Sequence, residues 1–161
     1  MADDLTYAEV GATLDPTLPA GYHHLDERRR VGGAEVFDAL GAFVLGWGIQ
    51  REAGLRVPAG PVVEGASVTL RLGPVPIPVR IVRVLDEPDR RGFVYGTRRG
   101  HPESGEEAFL AERDAEGTWV HVRAFSRQGT WWSRLGAPVS AAMQRRYTEK
   151  YLRAAQEAVR R

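Results

Sequence analysis

Residues 92–109 read Gly92-Phe93-Val94-Tyr95-Gly96-Thr97-Arg98-Arg99-Gly100-His101-Pro102-Glu103-Ser104-Gly105-Glu106-Glu107-Ala108-Phe109, and the fold is decided here. Phe93 to Thr97 has the aromatic and β-branched content of a short strand. Gly100-His101-Pro102-Glu103-Ser104-Gly105 is dense in turn formers. A second strand then opens on two carboxylates, Glu106 and Glu107. So short a connection permits only antiparallel pairing, since a parallel crossover needs a dozen residues or more. Side chains alternate along a strand, so only one of Glu106 and Glu107 can share a cleft with His101.

The same two-residue period extends on both sides. Downstream lie Ala108 to Arg113, a turn at Asp114-Ala115-Glu116-Gly117, and a strand from Trp119 to Arg127. In that strand Val120, Val122 and Ala124 alternate with Trp119, His121, Arg123 and Phe125, and the small apolar set is the better core face. Upstream, Val68, Leu70 and Leu72 form one strand and Gly73-Pro74 turns the chain. Ile77, Val79 and Ile81 begin the next strand, which Val82 and Val84 continue in the opposite phase, predicting a bulge. Asp86-Glu87-Pro88-Asp89 is a further turn. The charge density of Tyr22 to Val31 fits an edge strand.

Two segments carry helical spacing instead. Phe37, Leu40, Val44 and Trp47 share one face of a helix that follows Gly32-Gly33 and ends near Gly54. Gly41, Gly46 and Gly48 predict a break within it. Near the C-terminus, Met143, Tyr147, Tyr151 and Ala155 make an aromatic stripe along a helix spanning roughly Pro138 to Arg160, which must lie on the sheet. Residues 1–21 are an extended entry segment. The expected fold is α+β, one domain over 1–161: a curved antiparallel sheet wrapped around a long C-terminal helix, with an interrupted helix before it. That order is similar to the helix-grip architecture of START-type and pollen-allergen-type proteins, which by analogy implies a cavity between sheet and helix.

Composition narrows the function. A length of 161 residues suits one core. A net charge of +1 gives no global field for nucleic acid or an anionic membrane. The absence of cysteine removes disulfides, thiolate metal sites and cysteine nucleophiles. The acidic start Met1-Ala2-Asp3-Asp4-Leu5 is unlike a secretory signal, and no apolar run reaches membrane length. A soluble, cytoplasmic, bacterial protein is expected.

Several stretches together carry a family resemblance. They are Thr6-Tyr7-Ala8-Glu9-Val10-Gly11-Ala12-Thr13, Pro19-Ala20-Gly21-Tyr22, Asp86-Glu87-Pro88, Gly92 to Thr97, Gly100-His101-Pro102-Glu103, Gly105-Glu106-Glu107, Ala124-Phe125-Ser126-Arg127 and the helix through Tyr151-Leu152. In combination they resemble the bacterial and plant family DUF1990, a domain of unknown function. Arg98-Arg99 and Trp131-Trp132 depart from that pattern. The resemblance implies a domain type and no activity.

His101 with Glu106 or Glu107 is the candidate acid–base pair, because imidazole titrates near neutral pH. Turn chemistry accounts for the same residues as scaffold. No HExxH-type ligand set occurs, His23 and His24 diverge as strand neighbours, and no metal or cofactor is expected. Ser126 lacks a nucleophile elbow. The arginine clusters at 28–30, 98–99 and 145–146 have acidic neighbours, Asp26, Glu27, Glu149 and Glu157 among them, so nucleic-acid binding is not expected. The leading expectation is a small, largely apolar or lipid-like ligand held in the cavity, anchored by Tyr95, Thr97, His101, Glu106, Arg123, Tyr147 and Tyr151. The first alternative is an enzyme using His101 with Glu106 or Glu107 in the same cavity. The second is a protein-interaction module using the edge strand or Trp131-Trp132.

Overall fold

The computed structural model describes residues 4–128 and 137–161, with the backbone alone described over 137–144. Six strands form one antiparallel, curved sheet: β1 (His23–Gly32), β2 (Ser67–Leu72), β3 (Val75–Asp86), β4 (Arg90–Thr97), β5 (Glu103–Asp114) and β6 (Gly117–Gln128). Their spatial order is β1-β6-β5-β4-β3-β2. The meander read from short turns is therefore present, and the charged segment after Tyr22 is an edge strand, paired with β6 alone. The phase slip around Ile81 and Val82 is a register shift between Ile81 and Arg83 where β3 pairs with β4.

The helical face of the sheet carries the main core. Here α1 (Phe37–Leu45), α2 (Gly48–Glu52) and α3 (Ala137–Ala158) cover Phe93, Tyr95, Phe109, Ala111, Val120 and Val122. The glycine-rich interruption is real: Gly46 caps α1, and Trp47 adopts φ +64°, a left-handed conformation rare for a bulky residue. That turn drives the Trp47 indole into the core, edge-on to Phe93 at 5.1 Å between centroids. Phe109 meets Tyr151 edge-on at 5.3 Å, so the predicted aromatic stripe of the last helix does lie on the sheet. Met143, Trp131 and Trp132 fall outside the described side chains.

The other face is covered by the chain's own entry segment. Among the described residues the segment bridges Leu5 to Arg98 and makes a 3-10 turn at Ala12–Leu14, where the sequence reading expects extended chain. Tyr7, Leu18 and Phe125 make a small buried cluster there. Gly96 leaves room for it: a Cβ at that position would run into the Tyr7 ring and hydroxyl.

Candidate functional site

Alternation along β5 sends its two neighbouring glutamates to opposite sides. Glu106 goes outward, under the entry segment, and is 3% exposed. Its carboxylate accepts four hydrogen bonds: from the Tyr7 hydroxyl at 2.6 Å, the Gly11 amide at 2.8 Å, the Thr13 amide at 3.1 Å and the Thr13 hydroxyl at 2.5 Å. Every lone-pair direction of the carboxylate is used, so Glu106 is a structural clamp. Glu106 still borders the cavity described below, but the expectation that its carboxylate anchors a ligand or pairs with His101 meets four hydrogen bonds that engage it elsewhere. Burial and the Glu106 charge together raise the Tyr7 phenol far above its ordinary value.

Arg123 needs the same correction. It is on the Trp119–His121–Phe125 side of β6, where Nε donates to Asp26 at 3.0 Å and one terminal nitrogen donates to the Thr13 and Asp15 carbonyls, each at 2.6 Å. It ties the entry segment to the sheet and is not free to meet a ligand. His121 beside it is gripped by Asp26 at 2.5 Å and Glu112 at 3.0 Å. Burial alone would lower its pKa, but the two carboxylates outweigh burial and raise it.

Glu107 points the other way, into a cavity of about 280 Å³ between the sheet, the β4–β5 turn and α3. Leu55, Leu72, Val75, Ile77, Pro102 and Ala124 supply its apolar wall. Tyr95, His101, Glu103, Ser126, Tyr147, Thr148 and Tyr151 supply the polar groups. Glu107 and His101 retain some accessible surface because they border this space, although protein surrounds both.

The electrostatics of the cavity follow from that enclosure. Burial first, and the Glu103 charge second, push the Glu107 carboxyl up to about 8, so it holds its proton at neutral pH. Among the described residues its one hydrogen-bond donor is the Tyr95 hydroxyl, at a long 3.5 Å. Burial also raises Glu103, against a hydrogen bond from Ser126. Tyr95 and Tyr151 are raised well above the ordinary phenol value, by burial first. Behind Tyr95, the wholly buried Gln50 amide stands beside the phenol without a well-formed hydrogen bond on either atom.

His101 borders the same cavity, yet neither Glu106 nor Glu107 is among its hydrogen-bond partners. Its Nδ1 accepts the Glu103 amide hydrogen at 2.9 Å, and burial pushes its pKa down to about 4. The ring is therefore neutral with its proton on Nε2. Thr97 also borders the cavity, but its hydroxyl is engaged by the Gly105 amide at 3.0 Å and by Thr6 at 2.5 Å. The structure thus brings Tyr95, Thr97, His101, Tyr147, Tyr151 and Glu107 together around the cavity; Glu106 also borders it, with its carboxylate engaged by the entry segment, and Arg123 lies apart. Glu103 and Gln50 were missed. Glu103 occupies a turn in the sequence but begins β5 in the structure, and alternation from Glu107 would have placed it on the cavity side. Gln50 gave no signal beyond one polar residue in an apolar helix.

Among the described residues, no group of three or more histidine, aspartate and glutamate side chains is arranged to hold a metal. No described helix is long and apolar enough to cross a membrane.

Residues 6–154 match the family model described as a domain of unknown function, DUF1990. The chain belongs to the DUF1990 family. It is 36% identical to a UPF0548 protein of Deinococcus radiodurans, an alignment spanning 92% of this chain and 84% of that protein. Among solved structures, the hypothetical protein jhp0584 of Helicobacter pylori superimposes with a TM-score of 0.63 at 6% identity, covering 89% of this chain and 90% of the other. Ara h 8.0201 gives a TM-score of 0.51 at 12% identity over 86% and 98% of the two chains. At such identities these likenesses establish the fold alone: this DUF1990 member has the helix-grip, Bet v1-like architecture.

Proposed function

We propose that this DUF1990 protein binds a small, largely apolar or lipid-like molecule in the cavity between the sheet and α3. The observation that carries the reading is the cavity itself, about 280 Å³ with a mainly apolar wall and a few convergent polar groups. Ligand sites have this character, and the volume is close to the lower end of their usual range, so the ligand is small. Tyr95, Tyr147 and Tyr151 offer apolar rings with polar tips, and His101 offers an Nε2 donor.

A second reading rests on Glu107. A carboxyl that keeps its proton to about pH 8 in a water-poor pocket is a competent general acid, and perturbed acids gather at functional sites. In this reading Glu107 transfers the proton, Tyr95 orients it, and His101 donates a hydrogen bond through Nε2 without titrating. Glu106 takes no part.

The test is native mass spectrometry of the protein purified from its own host, combined with saturation by the uncharged dye N-phenyl-1-naphthylamine. A co-purifying small molecule lost on denaturation, and saturable dye binding that Ala124→Trp removes while the protein still unfolds cooperatively, would support a ligand cavity. Absence of both an adduct and saturable dye binding would overturn it.

A further inference from the structure

The cavity's charged lining is one-sided. Its ionisable lining residues are Glu103, Glu106 and Glu107 from β5, His101 from the turn, Tyr95 from β4, and Tyr147 and Tyr151 from α3, the Glu106 carboxylate being bonded on the far side by Tyr7, Gly11 and Thr13; no lysine or arginine among the described residues lines it. Arginines nearby in the fold are engaged elsewhere. Arg123 is on the outer face with Asp26, and Arg80 and Arg98 both hold Asp4. Lys150 is exposed and lies over the Tyr147 ring at 4.8 Å, and His23 of β1 lies near enough to Glu103 to favour its charge.

Glu107 is also under-satisfied in a way that Glu106 is not. Among the described residues Glu106 has four donors, whereas Glu107 has one distant hydroxyl. A buried carboxyl with unused acceptor capacity is costly unless a donor arrives from outside. The Gln50 amide, 0% exposed behind Tyr95, is a second buried polar group in this part of the core, beside the Tyr95 hydroxyl and without a well-formed hydrogen bond among the described residues. Tyr95, Tyr147 and Tyr151 line the same cavity as the carboxyl, and aromatic rings attract a cation over their faces. The Leu72, Val75 and Ile77 wall is apolar and suits a hydrocarbon body.

We propose that the cavity selects an amphiphilic amine, its ammonium group bonded to Glu107 with Glu103 further along the same strand face, and its apolar body against Leu72, Val75 and Ile77. This rests on the ligand-binding reading above and names the ligand's head group. Fatty acids are disfavoured, because no lysine or arginine among the described residues lines the cavity to balance a buried carboxylate, whereas an ammonium ion finds its counter-charge in Glu107 once that carboxyl ionises. At neutral pH the Glu107 carboxyl is protonated, so seating an ammonium ion there expels one proton from Glu107 to solvent. Binding therefore strengthens as pH rises towards about 8, the value at which Glu107 ionises unaided.

The experiment titrates the full-length protein with n-alkyl amines, the matching alcohols and the matching carboxylates, with chains of six to twelve carbons, by isothermal calorimetry in two buffers of different ionisation heat. The amine is expected to bind more than about tenfold tighter than its alcohol, the scale of one charge-assisted hydrogen bond. The carboxylate should bind weakest, and amine binding should release close to one proton at pH 7. In Glu107→Gln, checked for a cooperative unfolding transition, the amine-to-alcohol ratio should fall towards one and the proton release should vanish. Equal binding of all three head groups, or a preference for the carboxylate, overturns the amine proposal and leaves the cavity reading standing. Failure of every chain length and head group to bind overturns both.

Discussion

Glutamine at 106 and glutamine at 107 are the same substitution one residue apart, and they should act in opposite directions. In Glu106→Gln one carboxylate oxygen becomes an NH₂. If it replaces the Oε1 side it faces the Thr13 amide and hydroxyl; if it replaces Oε2 it faces the Gly11 amide and the Tyr7 hydroxyl. A hydroxyl can turn and accept, but a backbone N–H cannot, so either orientation sets one N–H against another donor. The other three bonds also lose their charge. Hydrogen bonds to a charged group contribute about 1.5–3 kcal/mol each and do not add, so a loss of about 2–4 kcal/mol is expected. With a urea slope of about 2 kcal/mol per molar, the unfolding midpoint falls by about 1–2 M. Glu107→Gln removes a carboxyl that resists ionisation. The unfolded chain ionises Glu107 near 4.5 and the folded chain near 8, so wild-type stability declines as pH rises between those values. The glutamine variant escapes that decline, and allowing for the cavity's contact with solvent it should gain about 1–3 kcal/mol at pH 8 relative to pH 4.5. Urea titrations of both variants at the two pH values decide the matter. If Glu106→Gln unfolds with the wild type, or Glu107→Gln is the more damaging of the two, the assignment of faces is wrong.

Further expectations concern the two outer layers and the turn. By ¹⁵N NMR, His101 should appear as the Nε2–H tautomer and remain neutral until about pH 4; because the unfolded imidazole protonates near 6.5, the folded state loses stability between those values as acid is added. A His101 titrating near 6.5 would refute its burial against the Glu103 amide. His121 has the opposite sign: its raised pKa contributes stability in full below about 6.5 and loses it as pH climbs through the folded value. His121→Gln should therefore be destabilised most at pH 6 and least at pH 9 in thermal unfolding, and a constant difference would contradict the Asp26–His121–Glu112 ion pairing. Gly96→Ala should cost about 1–3 kcal/mol by displacing Tyr7. Combined with Glu106→Gln in a double-mutant cycle it should cost less than the sum, since both break the Tyr7–Glu106 contact.

The sheet was legible because its turns and periods are local. Glycine and proline at 73–74, the acidic turn at 86–89 and the Asp114–Gly117 turn bound the strands, and even the bulge after Ile81 left its mark as a phase change. The break near Trp47 was legible from three glycines, although nothing in the sequence shows that tryptophan itself takes the left-handed turn. The site was only half legible. Alternation says that Glu106 and Glu107 part company but not which one turns inward, because that depends on a partner about 95 residues away, the Tyr7–Thr13 segment. Arg123 reads as an anchor for the same reason: its acceptors, the carbonyls of Thr13 and Asp15, lie over 100 positions away. Residue types in the entry segment give no hint that it folds back to occupy the outer face of β5 and β6.

One peptide unit of β5 separates two chemically unlike compartments. On one side of it Glu106 is saturated by the chain's first turns; on the other Glu107 awaits a donor beside Tyr95. The strand is thus a partition a single residue thick, and any twist that seats a guest on Glu107 must be absorbed through the carbonyl and amide it shares with Glu106. Occupancy of the pocket should accordingly be readable from outside, as slower hydrogen exchange at the Gly11 and Thr13 amides, and the same linkage makes the first fifteen residues a poor place to trim the chain.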